Sequence, residues 1–239
     1  MGRAFEVRKV AMGKTAAKKS KLYARYGKEI YMAAKSGTPD PDTNATLKNM
    51  IDKAKKDQIP SDVIKRAIDK AKGGSDETYT PIRYEGFGPG GSLYIVECLT
   101  DNVNRTVAEV RNCFTKSNGK LGISGSVVHQ FSHSSVFTLP EASEDDVLEV
   151  VIEHDLNVNE VEVEDDGTSI YGDASEYASI KAALESAYPD KELLTDTIMW
   201  LPLNDVKIDD PDAVQDNEKL QNMLDELDDV QEVYHNISN

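Results

Sequence analysis

The stretch from Arg83 to Gly119, RYEGFGPGGSLYIVECLTDNVNRTVAEVRNCFTKSNG, leaves the chain few ways to fold. A segment around Ile82–Glu85 runs into the glycine-rich turn Gly86-Phe87-Gly88-Pro89-Gly90-Gly91. Ser92–Thr100 is then an apolar run of strand length, with the β-formers Tyr94, Ile95 and Val96. Asp101, Asn102 and Asn104 offer cap oxygens to a helix on which Val107, Val110 and Phe114 share a face, and Gly119 can end it in the left-handed conformation. The unit reads as strand, tight turn, strand, helix, with more sheet after Leu121.

Gly86-x-Gly88-x-x-Gly91 has the spacing of a dinucleotide-binding loop. That loop must open a helix whose N-terminus faces the pyrophosphate. Here a strand follows and Pro89 stiffens the middle, so the glycines read as a structural turn.

Ahead of this unit, three helical patterns succeed one another. Leu22, Tyr26, Ile30 and Ala33 form a stripe within Lys18–Ser36; Leu47, Met50, Ile51 and Ala54 do so within Asn44–Lys56. Pro60 breaks the chain, Ser61 or Asp62 caps a third helix bearing Ile64, Ala67, Ile68 and Ala71, and Gly73-Gly74 ends it. Short connections predict a small bundle. Behind the unit, Val127–Phe131 and Val136–Leu139 read as strands broken by Ser132–Ser135. Ser143-x-x-Asp146 starts a helix. Val161–Glu164, Asp165-Asp166-Gly167 and Ser169–Tyr171 make a hairpin signal, Asp173-x-x-Glu176 caps another helix, and Thr197–Leu203 is strand-like. This order suggests a ferredoxin-like unit. Pro211 then opens a helix with Leu220, Met223, Leu224 and Leu227 inward, and Val230–His235 would be a last strand.

Charge is divided unevenly. The whole chain carries a net −16, yet Met1–Lys72 holds 18 Lys and Arg against 8 Asp and Glu, leaving 9 against 35 for the remaining 167 residues. A basic head on an acidic body points to nucleic acid at one end. Arg3, Arg8, Lys9 and Lys14 lie on a segment, Met1–Ala17, that reads as a basic arm; Lys18, Lys19, Lys21, Arg25 and Lys28 fall mainly off the apolar stripe of the first helix. These nine are the candidate nucleic-acid-binding residues, and Lys14 to Arg25 is the densest part, with no acidic residue in it. Tyr23, Tyr26 and Tyr31 could stack on bases, although Tyr26 sits on the stripe and reads as core.

Other chemistry finds no support. His129 and His133 are four apart on strand and turn, and no zincin Glu lies between them. Asp155-x-Asn157-x-Asn159 lacks the glycine a calcium loop needs, Glu160 taking its place. There is no G-x-S-x-G elbow or P-loop, and neither Cys98 nor Cys113 has an evident basic activator. We expect no catalytic residues, metal or cofactor, two buried free cysteines, no membrane span or secretion signal, and a cytoplasmic location.

RYEGFGPGG, VECLTDNVNRTVAEVR and DDVQEVYHN resemble the YebC/PmpR family over nearly the whole chain, while the opening MGRAFEVRKV is closer to its YeeN subfamily than to the HSKW-type opening of the main group. The resemblance implies that the last helix and strand return to the central unit. The expected fold is therefore α+β: a basic arm and three-helix bundle over 1–74, a central α/β domain from 80–135 plus 205–239, and an inserted acidic ferredoxin-like domain over 136–204. It also implies a DNA-binding regulator of transcription, as bacterial relatives are described, or a ribosome-associated factor binding RNA, as the mitochondrial relatives' name, translational activator of cytochrome c oxidase, suggests. The acidic body would face outward or meet basic proteins.

Overall fold

The computed structural model describes residues 16–74 and 77–238. Three helices come first: α1 (Ala16–Lys35), α2 (Ala45–Lys56) and α3 (Ser61–Lys72). Asn44 caps α2, its side chain accepting from the Leu47 amide and donating to the carbonyls of Ala33 and Thr38, so one buried side chain ties the end of α1 to the start of α2. Neither Ser61 nor Asp62 caps α3; Pro60 holds the cap position without a side-chain bond. Tyr26, Ile30, Tyr31, Leu47, Ile51 and Ile64 form the bundle core. Tyr26 and Tyr31 are thus core residues whose hydroxyls donate to Asp57 and to the Glu77 carbonyl.

The strands β1 (Thr80–Phe87), β2 (Leu93–Thr100), β3 (Lys120–Leu121) and β8 (Val230–His235) form the central sheet in the order β3-β1-β2-β8, all antiparallel. The glycine loop closes the β1–β2 hairpin, with Phe87 opposite Leu93 and with Gly90 and Gly91 at φ 69° and 82°, a region that L side chains avoid. Helices α4 (Val103–Lys116, capped by Asn102) and α7 (Pro211–Glu226, capped by Asp210) pack on it around Tyr94, Val96, Phe114, Leu220 and Leu224. Asn217 of α7 pins the loop: its Oδ1 accepts from Ser92 and Tyr94, and its Nδ2 donates to the carbonyls of Pro89 and Ala213.

Val128–Asp205 is a second compact unit, whereas the bundle and the central sheet cluster as one. Its strands β4 (Phe131–Pro140), β5 (Val158–Glu164), β6 (Gly167–Asp173) and β7 (Thr195–Pro202) form a sheet in the order β5-β6-β4-β7. With α5 (Glu144–Glu153) after β4 and α6 (Tyr177–Ala187) after β6, this is the ferredoxin-like arrangement. Ser143 and Asp146 form the reciprocal capping box of α5. The expected break at Ser132–Ser135 does not exist. β4 starts at Phe131 and runs through the serines, because a strand paired on both sides satisfies its backbone whatever its side chains are. The Ser135 hydroxyl finds the Asp173 carbonyl and Thr138 pairs with Ser169. Ahead of it, Val128–Gln130 is a turn of 3-10 helix rather than strand.

Gly86 lies directly against the buried ring of Phe114, and a Cβ there would come within 2.4 Å of it. Gly86→Ala is therefore expected to destabilise by about 1–3 kcal/mol through overpacking. In a denaturant double-mutant cycle, Phe114→Leu should recover part of that loss; strict additivity would mean that the ring is not what Gly86 accommodates.

Candidate nucleic-acid interface

Arg3, Arg8, Lys9 and Lys14 lie outside the described residues, as does the side chain of Lys18. Lys19 is exposed on α1. Lys21, Arg25 and Lys28 follow at i, i+4 and i+7, which puts them on one helical face, and that face meets the α7–β8 corner of the central sheet. Lys28 Nζ lies 2.8 Å from Asp229 Oδ1, 2.9 Å from the Asp228 carbonyl and 5.4 Å from the centre of the Tyr79 ring. Arg25 Nη2 is 2.8 Å from Glu232 Oε1, Nη1 donates to the Gln231 carbonyl at 2.5 Å, and Nε lies 3.9 Å from Glu29. Lys21 Nζ is enclosed and has no hydrogen-bond partner among the described residues.

The electrostatics follow from this packing. Burial pushes the Lys21 ammonium down, and the nearby Asp225, Asp228 and Glu226 offset that only in part. Burial also works against Arg25, but Glu232 and Glu29 outweigh it and hold the guanidinium above its usual value. Glu29 itself is pushed up by burial.

Asp229 is the most densely bonded of these acids. It is 4 % exposed, and its Oδ2 accepts from Arg105 at 2.6 Å and from Thr100 and Thr106 at 2.9 Å each. Its carbonyl accepts from the Leu99 amide at 2.8 Å. Burial alone would raise its carboxyl, yet the hydrogen bonds from Lys28, Arg105, Thr106 and Thr100 hold it far below the usual carboxylate range. Sequence reading passed over this cluster, since Thr100 and Asp229 are far apart in the chain. The signal available was that two of the family-like motifs, one with Thr100, Arg105 and Thr106 and one with Asp229, had to meet somewhere.

On α1 Lys19 and Lys35 face solvent, and most exposed cations lie on the other two helices: Lys48, Lys53, Lys55 and Lys56 on α2, and Lys65, Arg66, Lys70 and Lys72 on α3. Lys55, Lys65 and Lys72 border a groove of about 290 Å³ floored by Ile51, Ile64 and Ile68. A second groove of about 520 Å³ runs between α1 and α3, with Tyr23 and Tyr79 on its walls, Gly27 and Ala24 along α1, and Arg66 and Lys70 beside it. Arg66 and Lys70 pair with Asp62 and Glu77, but these pairs are largely exposed and weak.

Elsewhere, His133 stacks on Trp200 at 4.3 Å between ring centres. No group of three His, Cys, Asp or Glu residues placed to hold a metal occurs among the described residues. Cys98 and Cys113 are buried and unpaired, and burial pushes the Cys98 thiol up to about 12, so it stays protonated. No described helix is long and apolar enough to cross a membrane.

Family models described as the TACO1/YebC protein N-terminal domain and as the TACO1/YebC second and third domain match residues 3–74 and 79–237. The chain belongs to the TACO1/YebC family. It is 53 % identical over 236 residues to a protein of Alteromonas mediterranea, covering 99 % of this chain and 98 % of that one. With a protein of Acholeplasma laidlawii it shares 54 % identity over 237 residues, covering the same fractions. Both relatives are named probable transcriptional regulatory protein. The crystal structure of a conserved hypothetical protein, Aq1575, from Aquifex aeolicus superposes with a TM-score of 0.78 at 37 % identity, over 94 % of this chain and 92 % of that one.

Removing the Asp229 charge leaves Lys28 and Arg105 facing each other across the site. Asp229→Asn should cost about 2–3 kcal/mol, the range for losing hydrogen bonds to a charged group, because Arg105 keeps Asp101 at 2.7 Å and stays half-exposed. Because its folded carboxyl is depressed, the Asp229 contribution is complete above the unfolded value of 3.8 and lost only as pH falls through the lower folded value. The Tm gap between wild type and variant should thus hold steady from about pH 8 to about pH 5 and close only in stronger acid.

Proposed function

We propose that this chain is a non-enzymatic regulator of gene expression that binds nucleic acid through its basic head. The observation that carries the reading is the outer surface of the bundle, where eight exposed Lys and Arg side chains of α2 and α3 stand on the basic part of an otherwise acidic chain. Lys19 is exposed on α1 as well, and in sequence Arg3, Arg8, Lys9, Lys14 and Lys18 add further positive charge ahead of it. Such a row neutralises phosphates and releases counterions, while the acidic body repels the same backbone and restricts docking to one end. The names of the relatives favour duplex DNA and transcription as the setting.

A second reading, a ribosome-associated factor on RNA, draws on the groove between α1 and α3. Half-buried Tyr23 and Tyr79 offer ring faces to an unpaired base, with Arg66 and Lys70 beside them for its phosphates.

Fluorescence anisotropy across a salt series separates these. Lys55→Ala, Lys65→Ala and Lys72→Ala together should weaken binding and flatten the slope of log K against log salt by roughly 1 for each phosphate no longer neutralised. An unchanged slope would remove the bundle from the interface. Tyr23→Ala with Tyr79→Ala should affect a ribosomal RNA hairpin and leave duplex DNA unaffected if the RNA reading holds. Equal effects on both would count against it.

A further inference from the structure

We propose that the α7–β8 corner acts as an internal substitute for phosphate, occupying the inner cation row of α1, so that nucleic acid and the corner compete for Lys21, Arg25 and Lys28. This rests on the reading of the bundle as a nucleic-acid binder. The row presents three cations on one face over two helical turns, a spacing suited to a phosphodiester backbone, yet each is turned onto acidic protein. What it meets is chemically what a backbone would offer: anionic oxygens at 2.8 Å on Arg25 from Glu232 and on Lys28 from Asp229, carbonyl oxygens from Gln231 and Asp228, and the added field of Asp225 and Glu226 around Lys21.

The junction is also built to be released. The apolar cluster of the bundle and that of the central sheet have no residue in common, so polar contacts make up much of the junction at this corner. When Lys28 withdraws, Asp229 keeps Arg105, Thr100 and Thr106 and is not left as a bare buried charge. Glu232, 42 % exposed at its side chain, returns to water. Lys21 Nζ has no hydrogen-bond partner among the described residues, and a phosphate would supply one. A polyanion that takes all three cations at once gives each of them a new anionic partner, whereas a small anion does not.

The test uses the full chain and leaves Asp229 intact. Asp225→Asn, Glu226→Gln, Asp228→Asn and Glu232→Gln are combined in one corner variant. A control variant loses the same number of exposed acids on α5, through Glu144→Gln, Asp145→Asn, Glu149→Gln and Glu153→Gln. Both are titrated against a DNA duplex and a ribosomal RNA hairpin over a salt series, with circular dichroism to show that each is folded. Competition predicts that the corner variant binds at least fivefold tighter than the control and that its salt slope steepens by roughly 2–3, one step for each cation released to a phosphate. Adding Lys21→Ala and Arg25→Ala to the corner variant should return the slope towards that of wild type. A corner variant with the slope of the control overturns the competition and leaves the function standing. Absence of salt-sensitive binding to either probe, in wild type and variants alike, removes the function and the competition together. The probe that shows the steeper slope tells which backbone the row accepts.

Discussion

A carboxylate taken out of water must be surrounded by donors, and Asp229 draws its donors from separate parts of the chain. Lys28 comes from the bundle, Thr100 from the end of β2, and Arg105 and Thr106 from the first turn of α4, while Asp229 itself precedes β8. The charge thereby fixes where β2 ends, where α4 begins and where the closing strand enters the sheet. An apolar residue at this point would pack but would not choose among these registers. A buried charge accepts only arrangements that keep enough donors around it, and those from Thr100, Arg105 and Thr106 tie the end of β2 and the start of α4 to the entry of β8.

Two other buried polar side chains fix loops in the same way. Asn217 uses both its oxygen and its nitrogen to hold the glycine loop against α7. Glu85, 4 % exposed, accepts from the amides of Gly125 at 2.7 Å and Val127 at 2.6 Å, on the segment that leads to the second compact unit. In each case the backbone is irregular, so its own groups cannot satisfy one another and a side chain must do it. The glycine loop owes its shape to this support and to Gly90 and Gly91. β2, not a helix, follows it, so its dinucleotide-like spacing does not open the helix that such chemistry needs.

Periodicity made the helices and the hairpins legible, because burial imposes a repeat of 3.6 or 2 on the residues that face a core. The stripe through Tyr26 and Ile30, the capping box at Ser143 and the turn at Asp165-Asp166 stand where that repeat puts them. β4 was less legible because it is central: with neighbours on both sides, its serines are satisfied by cross-strand partners that a linear reading does not see. Lys21, Arg25 and Lys28 show a deeper limit. A basic row off the apolar stripe of a helix looks the same whether it faces phosphate, water or carboxylate. Only the tertiary fold, by bringing in Asp228, Asp229 and Glu232 from the far end of the chain, decides between them.

That decision bears on how charge is used in the molecule as a whole. If the acidic body served only to keep phosphate at a distance, its carboxylates would best lie away from the cations. Instead, part of the acid sits against the inner face of α1, where it neutralises cations rather than repelling a ligand. The outer cations of α2 and α3 are paired only weakly, through exposed contacts such as Arg66–Asp62 and Lys55–Asp52. The bundle therefore has two cationic faces of different availability. On the proposed reading, an incoming polyanion would meet the outer face first, under long-range attraction that salt screens. The inner face would answer only after ion pairs are exchanged at short range, and that exchange would depend on how many phosphates arrive together. On that reading, ordinary electrostatics would let the chain distinguish an extended backbone from scattered anions without reading a base.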